Sequence, residues 1–72
     1  MGNRLVSRLS ARMEDSGDVH VFEIWMQIGI ISAAYVVTID GRFYSTAETR
    51  REAEDEIEDV ISYYRLRRLE EE

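Results

Sequence analysis

The chain has 72 residues, a net charge of −6 at pH 7 and no cysteine. This length predicts a single domain, residues 1–72, with a small core. The lack of cysteine excludes disulfides, thiol redox chemistry and thiolate metal sites, and it is compatible with the cytoplasm, where we expect the protein to reside. The negative charge disfavours direct binding of nucleic acid, which depends on positive charge facing phosphate.

The N-terminal segment has two rows of side chains with a period of four. These rows are Arg4, Arg8 and Arg12, followed one position later by Leu5, Leu9 and Met13. A period of four fits a helix and also fits a strand, because four is twice the strand period. As a helix, the segment would carry arginine at its positive end, which is unfavourable. A strand paired with the next segment through residues 14–18 is therefore favoured, although both alternatives remain open.

The stretch from Val19 to Ile28 is rich in Val, Ile, Phe and Trp and predicts a strand. Gly29 to Ser32 is the expected turn, and Ala33 to Ile39 is the next strand. Polar residues and Gly29 interrupt this apolar region, so we do not expect it to span a membrane.

Apolar side chains alternate onto both faces of these two strands. On the first strand, Phe22, Ile24, Met26 and Ile28 share one face, and Val19, Val21 and Trp25 share the other. One helix can cover only one face of a sheet, so the second face needs the N-terminal segment or a second copy of the chain. Trp25 is therefore a candidate interface residue, although tryptophan is more often a core residue.

Asp40-Gly41 is a two-residue hairpin signal between Ala33–Ile39 and the short strand expected from Arg42 to Ser45. The turn needs positive φ at both positions, and Asp-Gly meets that need.

The C-terminal third of the chain predicts one long helix, from about Thr46 to about Leu69. Ser45 and Glu48 match a capping box at its start. An apolar stripe with helical spacing then follows, made of Ala53, Ile57, Val60, Ile61 and Tyr64. The predicted fold is therefore an α+β domain, in which an antiparallel sheet of three to four strands packs against one long C-terminal helix.

The predicted helix contains an acidic run in which six of the eight residues from Glu52 to Asp59 are Asp or Glu. With the apolar stripe on the sheet, Glu48, Glu52, Asp55 and Asp59 form an outward row, and Glu54 and Glu56 flank the buried face. We predict that these acids bind a basic protein or nucleoprotein complex, and the candidate residues are Glu48, Glu52, Glu54, Asp55, Glu56, Glu58 and Asp59. A solvated surface helix is the plain alternative.

The sequence supports no catalytic site, and we expect the protein not to be an enzyme. His20 is the single histidine and lies in a predicted strand, where a structural role is the commoner one. Ser16, Asp18 and His20 could be combined as a triad, but no nucleophile motif supports this. The acidic run lacks the pattern of a calcium loop, and we expect neither a metal nor another cofactor.

The segment YVVTIDGRFY, residues 35–44, and the acidic helix after it cover about half of the chain. A short acidic chain of this kind resembles the small inhibitors that phages and mobile elements make against host defence, above all the anti-CRISPR proteins. The resemblance is one of type and not of motif, because these inhibitors share no signature. It implies binding to a nuclease or surveillance complex, with carboxylates that mimic nucleic acid by occupying its site.

The alternative function is a homodimeric structural or regulatory module. In this hypothesis the second apolar face of the sheet, which contains Trp25, is the functional surface.

Overall fold

The computed structural model describes residues 2–29 and 33–69. In chain order these residues form β1 (Gly2–Met13), β2 (Val19–Ile28), β3 (Ala33–Ile39), β4 (Arg42–Ala47), α1 (Arg50–Tyr63) and β5 (Leu66–Leu69). The strands make one antiparallel sheet in the order β4-β3-β2-β1-β5. None of the described residues belongs to a helix long and apolar enough to cross a membrane. The α+β class is confirmed, but the sheet has five strands where three to four are predicted.

The N-terminal segment is a strand, and it forms the predicted hairpin with β2. The turn between them is closed by backbone hydrogen bonds from Met13 to Asp18 (2.8 Å) and from Gly17 to Met13 (2.8 Å). A β-bulge between Leu5 and Ser7 shifts the register of β1 against β2. Because paired residues of an antiparallel sheet share a face, the bulge leaves Arg8 and Arg12 on one face and Arg4 on the other. The period-four arginine row is therefore divided between the two faces.

The β3–β4 hairpin turns at Asp40-Gly41, as predicted. Both residues have positive φ, 55° for Asp40 and 81° for Gly41, as the favoured two-residue turn requires. The strand after the turn extends to Ala47, two residues beyond the predicted end at Ser45. The turn predicted at Gly29 to Ser32 lies mostly outside the described residues, which resume at Ala33.

The predicted helix is too long at both ends, and it is not C-terminal. It begins after β4 because Ser45 to Ala47 pair with β3 and so cannot start a helix. It ends at Tyr63, since Arg65 has a φ of 56° and its backbone N–H bonds to the Ser62 carbonyl. The chain after Arg65 then forms β5, which pairs with the end of β1.

The core lies between α1 and one face of the sheet. The buried part of the predicted stripe, Ala53, Ile57, Val60 and Ile61, packs on Ala11, Phe22, Ile24, Val37 and Ala47. Tyr64, which is also predicted in the stripe, lies at the end of the helix and is exposed. The helix thus covers the face that contains Phe22, and the face that contains Trp25 has no second layer among the described residues.

Candidate protein-binding surface

The start of α1 is fixed by a reciprocal cap. The Thr49 side chain accepts a hydrogen bond from the Glu52 backbone N–H (3.1 Å), and the Glu52 carboxylate accepts one from the Glu48 backbone N–H (3.1 Å). The first bond satisfies an amide that the first turn of a helix leaves unpaired, and the second ties the residue before the cap to that turn. One predicted binding residue, Glu52, therefore also holds the beginning of the helix.

Replacing Thr49 by alanine should destabilise the protein by about 1 kcal/mol, because the cap acceptor is lost. For a domain of this size, that loss lowers the midpoint of thermal unfolding by about 4–8 °C. Thr49→Ser keeps the hydroxyl and should leave the midpoint almost unchanged. Equal midpoints for the two variants would show that Thr49 does not cap the helix.

Burial of the apolar stripe turns the acidic side chains outward, as predicted. Six of the seven candidate acids are exposed, and Glu56 is half-buried. Besides Glu52, whose carboxylate accepts the Glu48 N–H, three of the seven have partners among the described residues. Glu54 pairs with Arg50 (3.1 Å), Glu58 pairs with Arg68 of β5, and Glu56 accepts a hydrogen bond from Ser45 of β4.

The carboxylates of Glu48, Asp55 and Asp59 make no hydrogen bond or ion pair with the described residues. Arg51, four positions before Asp55, makes no ion pair with Asp55 among the described residues. The charge of these three carboxylates is therefore not balanced locally.

A groove of about 520 Å³ lies where β4 leads into α1. Its walls contain four of the seven predicted acids together with three small side chains: Glu48, Glu52, Asp55, Glu56, Ala34, Thr46 and Ala47. The helix supplies Glu52, Asp55 and Glu56, and Glu48 lies just before the helix. The ends of β3 and β4 supply the small residues that leave the space open. No arginine is among the described residues that line the groove.

The groove is not arranged as a metal site. Among the described residues, no three or more Asp, Glu or His side chains converge in a way that could hold an ion. The chemistry that the groove offers is the binding of an organic cation, such as a guanidinium or ammonium group, through charge-assisted hydrogen bonds.

His20 lies on β2 and contacts Asp40, which is at the tip of the β3–β4 hairpin. Its Nδ1 lies 2.6 Å from an Asp40 carboxylate oxygen, and the other Asp40 oxygen accepts a hydrogen bond from the Val21 backbone N–H (2.9 Å). These bonds, with that to His20 the larger cause, lower the pKa of Asp40 below its ordinary value. Ser16 instead accepts a hydrogen bond from the Asp18 backbone N–H (3.2 Å). The structure therefore does not assemble Ser16, Asp18 and His20 into a triad.

Trp25 lies on the sheet face opposite α1 and is half-buried there. Its indole N–H donates to the Glu23 carboxylate (3.3 Å), which also binds Arg8 through ion-pair contacts of 2.7 and 2.8 Å. The hydrogen bond from Arg8 is the main reason why the pKa of Glu23 is lowered. The structure thus places the two predicted surfaces, the acidic helix and the Trp25 face, on opposite sides of the sheet.

Comparison of the chain with protein-family models, with curated proteins and with solved structures finds no match. The function must therefore be inferred from the surfaces of the fold itself.

Proposed function

We propose that this protein is a non-enzymatic inhibitor that presents its acidic helix to a basic, nucleic-acid-binding surface of a host defence complex, in the manner of anti-CRISPR proteins. The observation that carries the proposal is the groove at the start of α1, where four acidic residues line the wall and no described arginine does. Like charges in one groove repel one another. An arginine or lysine of a partner relieves this repulsion and gains charge-assisted hydrogen bonds.

The acidic row continues from the groove along the helix, through Glu52, Asp55 and Asp59. These residues are three and four positions apart, so they rise by about 4.5 and 6 Å along the axis. Neighbouring phosphates of one nucleic-acid strand have a comparable spacing, about 6–7 Å on the scale set by the rise per nucleotide. Because α1 is held by its buried stripe, the row is rigid and can take the place of phosphates in a basic channel.

The experiment should reverse the acids that have no structural role. Glu48, Asp55 and Asp59 qualify, whereas Glu52 caps the helix and Glu56 binds Ser45. We expect the protein to displace target DNA from a purified CRISPR effector complex, as measured by fluorescence anisotropy of the DNA. The triple variant Glu48→Arg, Asp55→Arg and Asp59→Arg should weaken this inhibition at least about 100-fold, since each lost charge-assisted bond contributes about 1.5–3 kcal/mol.

A matched control reverses three exposed acids of the β1–β2 turn: Glu14→Arg, Asp15→Arg and Asp18→Arg. This control changes the net charge by the same amount but leaves the groove intact, so it should inhibit almost as well as the wild type. Equal loss in both triple variants would mean that net charge and not the groove is responsible. No displacement of DNA from effector complexes of several types would end the proposal.

A further inference from the structure

The sheet face opposite α1 carries a row of large apolar side chains, and no second layer covers it among the described residues. We call it the open face and define it as the strand residues on the same side of the sheet as Trp25. Its apolar members include Leu5, Val19, Val21, Trp25, Val36 and Phe43, and its uncharged polar members include Ser10, Gln27 and Thr38. Leu5, Trp25 and Val36 are paired neighbours and form one row across β1, β2 and β3. Leu5 is 37 % exposed, Val19 44 % and Phe43 68 %. The solvated face of an antiparallel sheet is normally polar, so this composition indicates a binding surface.

The charge of the open face is opposite to that of the whole chain. It contains Arg8, Arg12 and Arg67, whereas Glu23 is the one acid among its described strand residues, and that acid is paired with Arg8. Arg12 and Arg67 lie directly opposite each other on β1 and β5. Like charges in directly opposed positions destabilise a sheet, and a carboxylate from outside relieves that repulsion. The described strand residues of the open face therefore combine an apolar row with a net positive charge, on a chain whose net charge is −6.

We propose that the open face binds an acidic amphipathic helix of a partner protein. From Trp25 to Val19, six residues along β2, the face extends about 20 Å, which a helix of about 13–14 residues matches. The apolar stripe of such a helix covers Leu5, Trp25 and Val21. Carboxylates at one end of the helix reach Arg12 and Arg67. The complex would then have a helix on each side of the sheet.

A second copy of this chain fits the open face less well. Two open faces brought together are both positive, so they lack charge complementarity. The acidic helix of a second copy already buries its apolar stripe, Ala53, Ile57, Val60 and Ile61, on its own sheet. It therefore has carboxylates for Arg12 and Arg67 but no apolar stripe for Trp25.

Trp25 is the single tryptophan of the chain, so its fluorescence reports directly on the open face. The probes are two tryptophan-free 14-residue peptides with the same leucine stripe. One has glutamate at its polar positions, and its twin has lysine there. We expect the glutamate peptide to shift the Trp25 emission to shorter wavelength in a saturable way. The lysine twin should bind at least about 10-fold more weakly, because it meets Arg12 and Arg67 with like charge.

Variants then locate the binding. Arg12→Ser with Arg67→Ser should weaken binding of the glutamate peptide at least about 10-fold without lowering the midpoint of thermal unfolding. The control Arg51→Ser removes an exposed arginine from α1, on the other side of the sheet, and should bind as the wild type does. The groove variant with Glu48, Asp55 and Asp59 reversed should also bind the peptide at least as well as the wild type. Failure of this proposal is thus distinguishable from failure of the inhibitor function.

Three results would overturn the proposal. The first is equal affinity for the two peptides, and the second is no change in Trp25 emission at millimolar peptide. The third is a shift of emission with protein concentration alone, accompanied by a dimer in sedimentation that Trp25→Arg dissociates. That result would make a second copy the occupant.

Discussion

The variant Phe22→Ala should lose about 3–5 kcal/mol of folding free energy, the usual range when a large aromatic side chain is removed from a core. Phe22 is 1 % exposed and lies between the sheet and α1, among the side chains of the stripe. A domain of 72 residues has a total stability of only about 4–11 kcal/mol. The variant should therefore be at the limit of folding at 25 °C.

Urea unfolding followed by circular dichroism measures this loss. With a slope of about 1 kcal/mol per molar urea, the midpoint should fall by roughly 3–5 M or the folded baseline should disappear. Phe43→Ala is the matched control, because it deletes the same side chain where it is 68 % exposed. Its effect should stay within about 0.5 kcal/mol. A loss below about 1 kcal/mol for Phe22→Ala would show that α1 does not pack on this face.

The parts of the fold that the sequence predicts correctly have local signals. Asp40-Gly41 defines its turn without help from the rest of the chain, because both positions need positive φ. The side chains of the strands on either side of that turn alternate between the two faces of the sheet, which is the pattern that the sequence predicts. The predicted helical stripe is also correct from Ala53 to Ile61. The outward direction of the acids follows from that stripe, so this feature of the candidate site was also predictable.

The end of the helix and the strand β5 were not predictable, because their causes are not local. Leu66 and Leu69 are three positions apart, which continues a helical stripe equally well. The helix instead ends at Tyr63, because Arg65 adopts a positive φ where the usual signal, glycine, is missing. The strand that follows exists because the outer edge of β1 is available for pairing from Ser10 to Met13. A pairing partner so far along the chain leaves no mark in the local sequence.

The start of the helix shows competition between two equally good signals. Ser45 with Glu48 and Thr49 with Glu52 both match the capping box. Because Ser45 pairs with Val37 in the sheet, it cannot cap a helix, and Thr49 caps the helix instead. The acidic groove depends on the same event, because it forms where β4 ends and α1 begins. The sequence predicts the carboxylates of the groove. It does not predict the small residues of the wall, Ala34, Thr46 and Ala47, because strand pairing brings them to the groove.

Asp40→Ala should destabilise the protein by about 2–5 kcal/mol, the second largest effect that we expect. Asp40 ties the β3–β4 hairpin to β2 through its backbone N–H to the Val21 carbonyl (2.8 Å) and through its carboxylate to Val21 and His20. Alanine removes both side-chain bonds and leaves the Val21 N–H without its acceptor, at a cost of about 1–3 kcal/mol. It must also adopt a φ of 55°, which is unfavourable for alanine by about 1–2 kcal/mol.

Asp40→Asn separates the charge of Asp40 from its other roles. Asparagine tolerates positive φ and can still accept the Val21 hydrogen bond, so its loss should be only about 1 kcal/mol at pH 7. The folded pKa of Asp40 is lowered from its ordinary value of 3.8. The stability that this carboxylate contributes is therefore complete above that value and is lost as pH falls through the folded pKa. The difference between wild type and Asp40→Asn should accordingly shrink as pH falls below about 4.

Thermal unfolding of both proteins between pH 7 and pH 2 tests this expectation. Glu23 also has a lowered pKa, so the wild type alone would lose stability in acid for two reasons. The comparison removes that contribution, because Glu23 is present in both proteins. A difference that stays constant down to pH 2 would mean that the Asp40 carboxylate does not pair with His20. A difference that vanishes in acid would show that the ionised Asp40 carboxylate holds the hairpin on β2.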